Sequence, residues 1–137
     1  MSKIRTELSE KNPYQIPKHR YLELKHFCLQ YPDWKRQLAI LEPPFSSEFL
    51  IRFQKASGHS NPTEKLALIR AVLSENVELV EETAKEADRD IYKWLLYGVT
   101  HDVGFDYLKT VMAIPCERDM YYSRYRKFFW LLDKNRT

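Results

Sequence analysis

Apolar residues recur at intervals of three and four along much of the chain, the spacing that places side chains on one face of an α-helix. The clearest run lies between residues 62 and 87. It follows a helix-start signal in which Asn61 precedes Pro62 and Glu64. We therefore predict a helix over 62–87, about 40 Å long. Its apolar stripe consists of Leu66, Ile69, Leu73, Val77, Val80, Ala84 and Ala87.

This stripe has two interpretations. It can face the other helices of the same molecule, or it can form a coiled-coil-like seam in a homodimer. The run spans fewer than four heptads of mixed quality, which favours a central helix packed within one molecule. The opposite face is acidic and alternates around the helix without converging on a pocket, so we interpret it as solvated surface. Its members are Glu75, Glu78, Glu81, Glu82 and Glu86.

The N-terminal part divides into a polar segment and a helical one. Residues 1–15 are polar and charged, and we predict a flexible N-terminus there. Residues 16–60 are expected to hold the N-terminal helices and a loop. Pro17 suits the first turn of a helix. Pro32 breaks the apolar pattern that follows, which predicts one kinked helix or two short ones.

Three further boundaries follow from turn signals. The segment 46–54 fits either a short helix or an extended strand, and 55–60 reads as a loop. Gly98 is a candidate helix stop, followed by a connector over 99–104. Residues 61–137 are expected to form one compact unit that contains the long helix and the C-terminal elements.

The stretch from Gly104 to Lys134 combines a short amphipathic run, a turn, and a longer run rich in basic and aromatic residues. That is the outline of a helix-turn-helix, whose second helix enters the major groove of DNA. The buried face of its first helix is predicted to comprise Phe105, Leu108, Val111 and Met112.

The turn of this motif is predicted at Ala113–Pro115. Ala113 is small enough to let the two helices approach, and Ile114 is expected to point back into the core. Pro115 would stop the first helix, and the second would start at Cys116 or Glu117.

In the second helix, the spacing 4-3-4 predicts a core stripe of Tyr121, Tyr125, Phe128 and Leu132, supplemented by Phe129. The remaining polar face suits DNA. Short side chains near the helix start can reach base edges, and Arg or Lys further along can hold phosphates. The predicted base-approaching residues are Arg118, Asp119, Met120, Tyr122 and Ser123, and the predicted phosphate-binding residues are Arg124, Arg126 and Lys127.

Composition agrees with an all-α helical bundle that has a long central helix and a C-terminal helix-turn-helix. The chain has 137 residues, about one domain, and only three glycines. Its net charge is +3, but the charges are unevenly distributed. Residues 101–137 hold seven Lys or Arg against five acids, whereas 75–90 holds seven acids against two bases. The C-terminal end is therefore better suited to phosphate.

The sequence offers no catalytic or metal-binding signature. Cys28 and Cys116 lie far apart, and the four histidines lack zinc-ligand spacing with them. We find no glycine-rich phosphate loop, nucleophile elbow or run of about 20 apolar residues that could span a membrane. We therefore expect a cytoplasmic protein with reduced thiols, without enzymatic activity, cofactor, metal or membrane partner.

Three segments together carry a resemblance to a known family: FCLQYPDWKRQL (27–38), SNPTEKLALIR (60–70) and LKTVMAIPCERDMYYSRYRKFF (108–129). In this order they resemble the RinA/ArpU group of phage-encoded regulators of late transcription in Gram-positive bacteria. The C-terminal domain of that group is similar to the fourth region of sigma factors. The resemblance implies an activator that binds double-stranded DNA at a phage promoter, with host RNA polymerase as a partner.

The recognition helix of that group is usually capped by Ser or Gly, followed by a polar triplet and a core residue. Here Glu117 or Cys116 takes the cap, Arg118-Asp119-Met120 the triplet, and Tyr121 the core position. The cap is of another type, and the turn is one or two residues longer than in the group.

Two other functions remain open at this point. A helical protein–protein adaptor without DNA binding would account for the many aromatic residues of the last helix. A small terminase subunit of a phage would bind DNA as a ring-sized oligomer.

Overall fold

A computed structural model describes residues 12–136, and the helices among them confirm the predicted all-α bundle with a long central helix. Residues 1–11 of the predicted flexible N-terminus lie outside the described residues. The helices are α1 (Lys18–Leu29), α2 (Tyr31–Ile40), α3 (Ser47–Ser57), α4 (Pro62–Ala87), α5 (Tyr92–His101), α6 (Phe105–Thr110) and α7 (Arg118–Asn135).

Helix α4 is the centre of the bundle, and its predicted bounds are confirmed. The Asn61 side-chain oxygen accepts a hydrogen bond from the Glu64 backbone N–H at 3.1 Å, which caps the helix as the sequence predicts. Pro62 occupies the first turn, where a missing N–H costs nothing. α4 packs against α2, α3, α5 and α7, so most other elements are positioned by contact with it.

The apolar stripe of α4 faces the core of its own molecule. Ile69 is half-buried, and the six other members of the stripe are buried. Each buried Leu or Val contributes about 1.5–3 kcal/mol relative to exposure. The stripe is therefore used within one molecule, as the favoured interpretation predicts, and is not free to form a seam between two copies.

One residue of the acidic face departs from the expectation of solvated surface. Glu81 is half-buried, and the hydroxyl of Tyr31 donates a hydrogen bond to its carboxylate. Because Tyr31 is the first residue of α2, this hydrogen bond ties the start of α2 to α4 at Glu81. The pattern of charges could not show this, because the interaction depends on where α2 docks.

The N-terminal apolar run forms two helices, one of the two predicted alternatives. α1 ends at Leu29, Gln30 intervenes, and α2 starts with Pro32 in its first turn. Trp34 is buried and packs edge-on against Phe27, with ring centroids 4.9 Å apart. The break at Pro32 thus folds the aromatic faces of both helices onto one another.

The ambiguous segment 46–54 is helical, and the expected loop over 55–60 begins later than predicted. The Ser46 hydroxyl accepts the Phe49 backbone N–H at 3.0 Å and caps α3, which continues to Ser57. α3 ends where Gly58 adopts the left-handed conformation at φ 72°. The prediction of a loop from Lys55 was wrong because no residue before Gly58 is suited to that helix end.

The prediction that Gly98 stops a helix was also wrong. α5 continues through Gly98 to His101 and ends at Asp102, which has φ 53°. Gly98 is required for another reason: a Cβ atom at this position would lie 2.3 Å from the Tyr121 hydroxyl oxygen. The missing side chain lets α7 approach α5, and part of the predicted connector 99–104 is helical as a consequence of this continuation.

Tyr121 is fully buried at this contact, and its hydroxyl group has no hydrogen-bond partner among the described residues. Burial raises the pKa of Tyr121, so the phenol remains neutral. A buried polar group without a partner costs about 1–3 kcal/mol.

We predict that Gly98→Ala destabilises the fold by about 1–3 kcal/mol through overpacking, although Ala is the better helix former. Tyr121→Phe alone should be neutral or stabilising, because it removes an unpartnered hydroxyl. Urea denaturation followed by circular dichroism measures both.

The double variant Gly98→Ala with Tyr121→Phe provides the control. The nearest ring atom of Tyr121, Cζ, would lie 3.5 Å from the added Cβ, an ordinary contact, so most of the loss should be recovered. Strictly additive effects would contradict the proposed clash.

Candidate nucleic-acid interface

The connection between α6 and α7 is anchored by one buried side chain. Ile114 is 1% exposed, and its backbone N–H donates to the Leu108 carbonyl at 3.0 Å. Ala113 precedes it with φ 54°, a left-handed conformation that reverses the chain. The prediction that Ile114 points back into the core is confirmed.

Other details of the predicted turn were wrong. α6 ends at Thr110, well before Pro115, so Pro115 is not its stop. Val111, expected in the buried face, is 62% exposed because the chain leaves the helix there. Ala113 is exposed as well, so its small side chain serves the backbone reversal instead of a close approach of helices. The Lys109 ammonium spans the turn and lies 3.4 Å from the Ile114 carbonyl oxygen.

Helix α7 starts as predicted and buries the predicted stripe. Glu117 is its N-cap but makes no side-chain capping hydrogen bond, so the first N–H groups of α7 remain available. The buried residues of the stripe are Tyr121, Tyr125, Phe128, Phe129 and Leu132.

Two of the predicted base-approaching residues face α6. Arg118 forms an ion pair with Asp106, Nη1 to Oδ1 at 3.2 Å, and its guanidinium lies 5.4 Å from the ring centroid of Tyr122. The Tyr122 hydroxyl accepts a hydrogen bond from the Phe105 backbone N–H at 3.2 Å. This bond satisfies one of the free N–H groups at the start of α6. The Arg118–Asp106 pair is solvent-exposed and worth about 1 kcal/mol or less, so Arg118 can exchange it for another anion.

Arg124 is engaged inside the molecule. Its Nε donates to Asp88 Oδ2 at 2.9 Å, while Asp88 Oδ1 accepts the backbone N–H groups of Asp90 at 2.8 Å and Ile91 at 3.1 Å. This pair joins α7 to the connection between α4 and α5. Asp88 was not predicted as a partner of Arg124, although an Asp that accepts the backbone N–H two residues on is a recognisable turn signal.

The pKa of Asp88 reflects this arrangement. Burial works to raise it, but the hydrogen bonds from Arg124 and from the two backbone N–H groups outweigh burial and lower it below the ordinary value. A lowered folded-state pKa stabilises the fold above the unfolded-state value of about 3.9, and this contribution is lost as the pH falls below it.

The solvent-facing side of α7 is a short strip. Asp119, Ser123 and Lys127 follow one another at one-turn spacing, with Met120 alongside, and we call these four residues the α7 outer strip. Asp119 and Met120 are exposed, the latter at 41%, while Ser123 and Lys127 are half-buried. The strip is about 12 Å long and holds one acid and one base.

Beyond this strip, the outer side of α7 is partly covered at Trp130. The Tyr14 ring packs on Trp130 with centroids 5.5 Å apart, and the Lys134 ammonium lies 4.1 Å from the Trp130 centroid. Arg126 is half-buried beside the strip, and its Nε has no hydrogen-bond partner among the described residues. Among residues 12–136, the ring of Trp130 in the C-terminal half of α7 is thus partly covered, whereas Asp119 and Met120 in the N-terminal half are exposed.

The described part of the chain also bears on metal binding, cysteine chemistry and membrane insertion. Residues 12–136 contain no group of three or more His, Cys, Asp or Glu side chains that could hold a metal ion. Cys28 and Cys116 are both free and buried, and burial raises the pKa of both thiols. None of the helices described is long and apolar enough to cross a membrane.

Comparison with protein-family models, curated proteins and solved structures found no match to this chain. Functional interpretation therefore rests on the geometry of α6 and α7 and on the residues they expose.

We predict that Arg124→Met lowers the free energy of unfolding by about 2 kcal/mol at neutral pH, because it removes a charged hydrogen bond from a nearly buried carboxylate. The loss of stability that wild type shows below about pH 4 should shrink in this variant. Urea titrations between neutral and acidic pH measure both effects.

The exposed pair Arg36–Asp33 supplies the matched control. Arg36→Met should change stability by less than about 0.5 kcal/mol at any pH. Equal effects at both positions would contradict the role assigned to Asp88.

Proposed function

We propose that this chain is a double-stranded-DNA-binding protein that inserts the N-terminal half of α7 into the major groove. The observation that carries the proposal is the α7 outer strip. It lies on a helix whose opposite side is held by the core and whose start is fixed by Ile114. Such a rigid presentation reduces the entropy lost on binding.

The orientation of α7 in the major groove follows from which part of its surface is exposed. Tyr14 on Trp130 would collide with a phosphate backbone running along the C-terminal half of α7. The helix would therefore enter with its N-terminus first, the end with partial positive charge and free N–H groups that suit phosphate. This orientation is the one used by recognition helices, which contact base edges with their N-terminal residues.

Each residue of the strip has a suitable partner in the groove. The Ser123 hydroxyl can donate to or accept from a base edge, and Met120 can contact a thymine methyl group. Asp119 can accept from a cytosine amino group, and Lys127 lies where a phosphate would flank the helix. Arg118, released from Asp106, adds a second cation at the helix start.

The biological setting proposed here is regulation of late phage or prophage transcription, with contact to host RNA polymerase. It rests on the resemblance of 27–38, 60–70 and 108–129 to the RinA/ArpU group. The helix pair itself supports DNA binding only.

A second candidate is a helical adaptor that binds protein instead of DNA. The observation that favours it is a set of large exposed apolar side chains distant from α7 in the sequence: Ile40, Ile51, Leu68 and Val72. A stoichiometric complex with a host protein, together with no retention on DNA at moderate salt, would support the adaptor.

We expect Arg126→Ala combined with Lys127→Ala to weaken binding to phage late-promoter DNA and to flatten its salt dependence. The slope of log K against log salt should fall by about 1–2, one for each phosphate that the variant no longer neutralises. Fluorescence anisotropy over a series of salt concentrations measures the slope.

The control is Arg52→Ala combined with Lys55→Ala, which removes the same charge from exposed positions on α3. It should leave the slope unchanged. Unchanged affinity in the α7 variant, or an equal reduction in both variants, would refute the assignment.

We also predict that Met120 contributes to base reading. Replacing thymine by uracil in the bound site removes a methyl group, worth about 0.8 kcal/mol or roughly fourfold in affinity if Met120 covers it. Met120→Ala should bind both DNAs equally. If wild type and variant discriminate alike, Met120 does not contact a thymine methyl.

A further inference from the structure

Helix α4 carries a second stripe on its outer side, separate from the one buried in the core. Lys65, Leu68, Val72 and Glu75 follow at spacings of three, four and three, and we call them the α4 outer ridge. Leu68 and Val72 are each 58% exposed. Large apolar side chains one turn apart on an open helix face indicate an interaction surface.

The arrangement of charges on this ridge indicates which molecule binds it. Lys65 and Glu75 lie equally far before and after Arg70, and so do Leu68 and Val72. A two-fold axis that crosses the ridge between Leu68 and Val72 and sets two α4 helices antiparallel would place Lys65 opposite Glu75 of the second copy. It would also place Leu68 opposite Val72, so both the charges and the apolar groups complement one another.

We infer that the α4 outer ridge is a docking surface for a second copy of this chain, packed antiparallel across a two-fold axis that crosses the ridge between Leu68 and Val72. Two-fold contacts use the same surface on both molecules, and this ridge is self-complementary in that sense. A parallel arrangement would instead oppose Lys65 to Lys65 and Glu75 to Glu75, which is repulsive.

The size of the ridge sets the expected affinity. From Lys65 to Glu75 it is about 15 Å long, and one helix pair of that length buries far less than the roughly 800 Å² per partner of a stable interface. The dimer should therefore be weak, and its population should depend on protein concentration. This inference does not depend on DNA binding.

Sedimentation equilibrium of the full chain tests the proposal. Lys65→Glu and Glu75→Lys, each alone, create two like-charge contacts in the symmetric dimer and should raise its Kd about tenfold. An equimolar mixture of the two variants restores opposite charges at both contacts and should dimerise as well as wild type. The double variant Lys65→Glu/Glu75→Lys should do the same.

An apolar substitution and its control complete the experiment. Val72→Glu should abolish dimerisation, whereas Val111→Glu, the same change at another exposed valine, should not affect it. Circular dichroism verifies that each variant is folded. A monomer at all concentrations would overturn the proposal, and so would a dimer that is insensitive to the ridge variants or not rescued by mixing. A ring-sized oligomer would overturn it in favour of the terminase alternative.

Discussion

The structure depends on the packing of α7 against α4. The buried stripe of α4 meets the aromatic stripe of α7, and the largest fully buried side chains among the described residues, Tyr121, Phe128 and Phe129, all belong to α7. α1 then closes over this pair: the hydroxyls of Tyr21 and Tyr125 lie 2.9 Å apart, and the Tyr21 ring packs edge-on against Phe129. Because aromatic side chains bury the most area each, this packing supplies a large share of the core and fixes the orientation of α7.

That constraint determines which side of α7 can act on a ligand. A helix that buries six aromatic or aliphatic residues and anchors Arg124 to Asp88 cannot rotate to present another face. Its free surface is therefore whatever the core, α6 and Tyr14 leave uncovered. The narrowness of the outer strip is a direct result of the large number of aromatic residues needed to hold the helix in place.

The sequence predicted the elements well wherever spacing and capping decide the structure. The bounds of α4 follow from Asn61, Pro62 and a regular apolar stripe, and the core stripe of α7 follows from its spacing. Some errors arose from local backbone geometry, as at Gly58 and Val111, and others from long-range contacts. Gly98 looks like a helix stop until Tyr121 is seen beside it. In the same way, the spacing of α7 could not show that Arg124, predicted to bind phosphate, forms an ion pair with Asp88. Contacts between residues far apart in the sequence cannot be recognised from the spacing of apolar and polar residues.

The size of the outer strip bears on how such a protein would bind DNA. Two helical turns with one lysine, aided by Arg118, neutralise few phosphates, and the sequence-independent part of DNA affinity scales with that number. A rigid helix can still discriminate bases, but a single copy would bind weakly. Joining two copies through α4 would leave both α7 outer strips in place, because the α4 outer ridge and the α7 outer strip share no residue. Where the two-fold pairing also sets the two strips one helical turn of DNA apart, the second binding event becomes intramolecular and the overall affinity for two half-sites exceeds that of either alone.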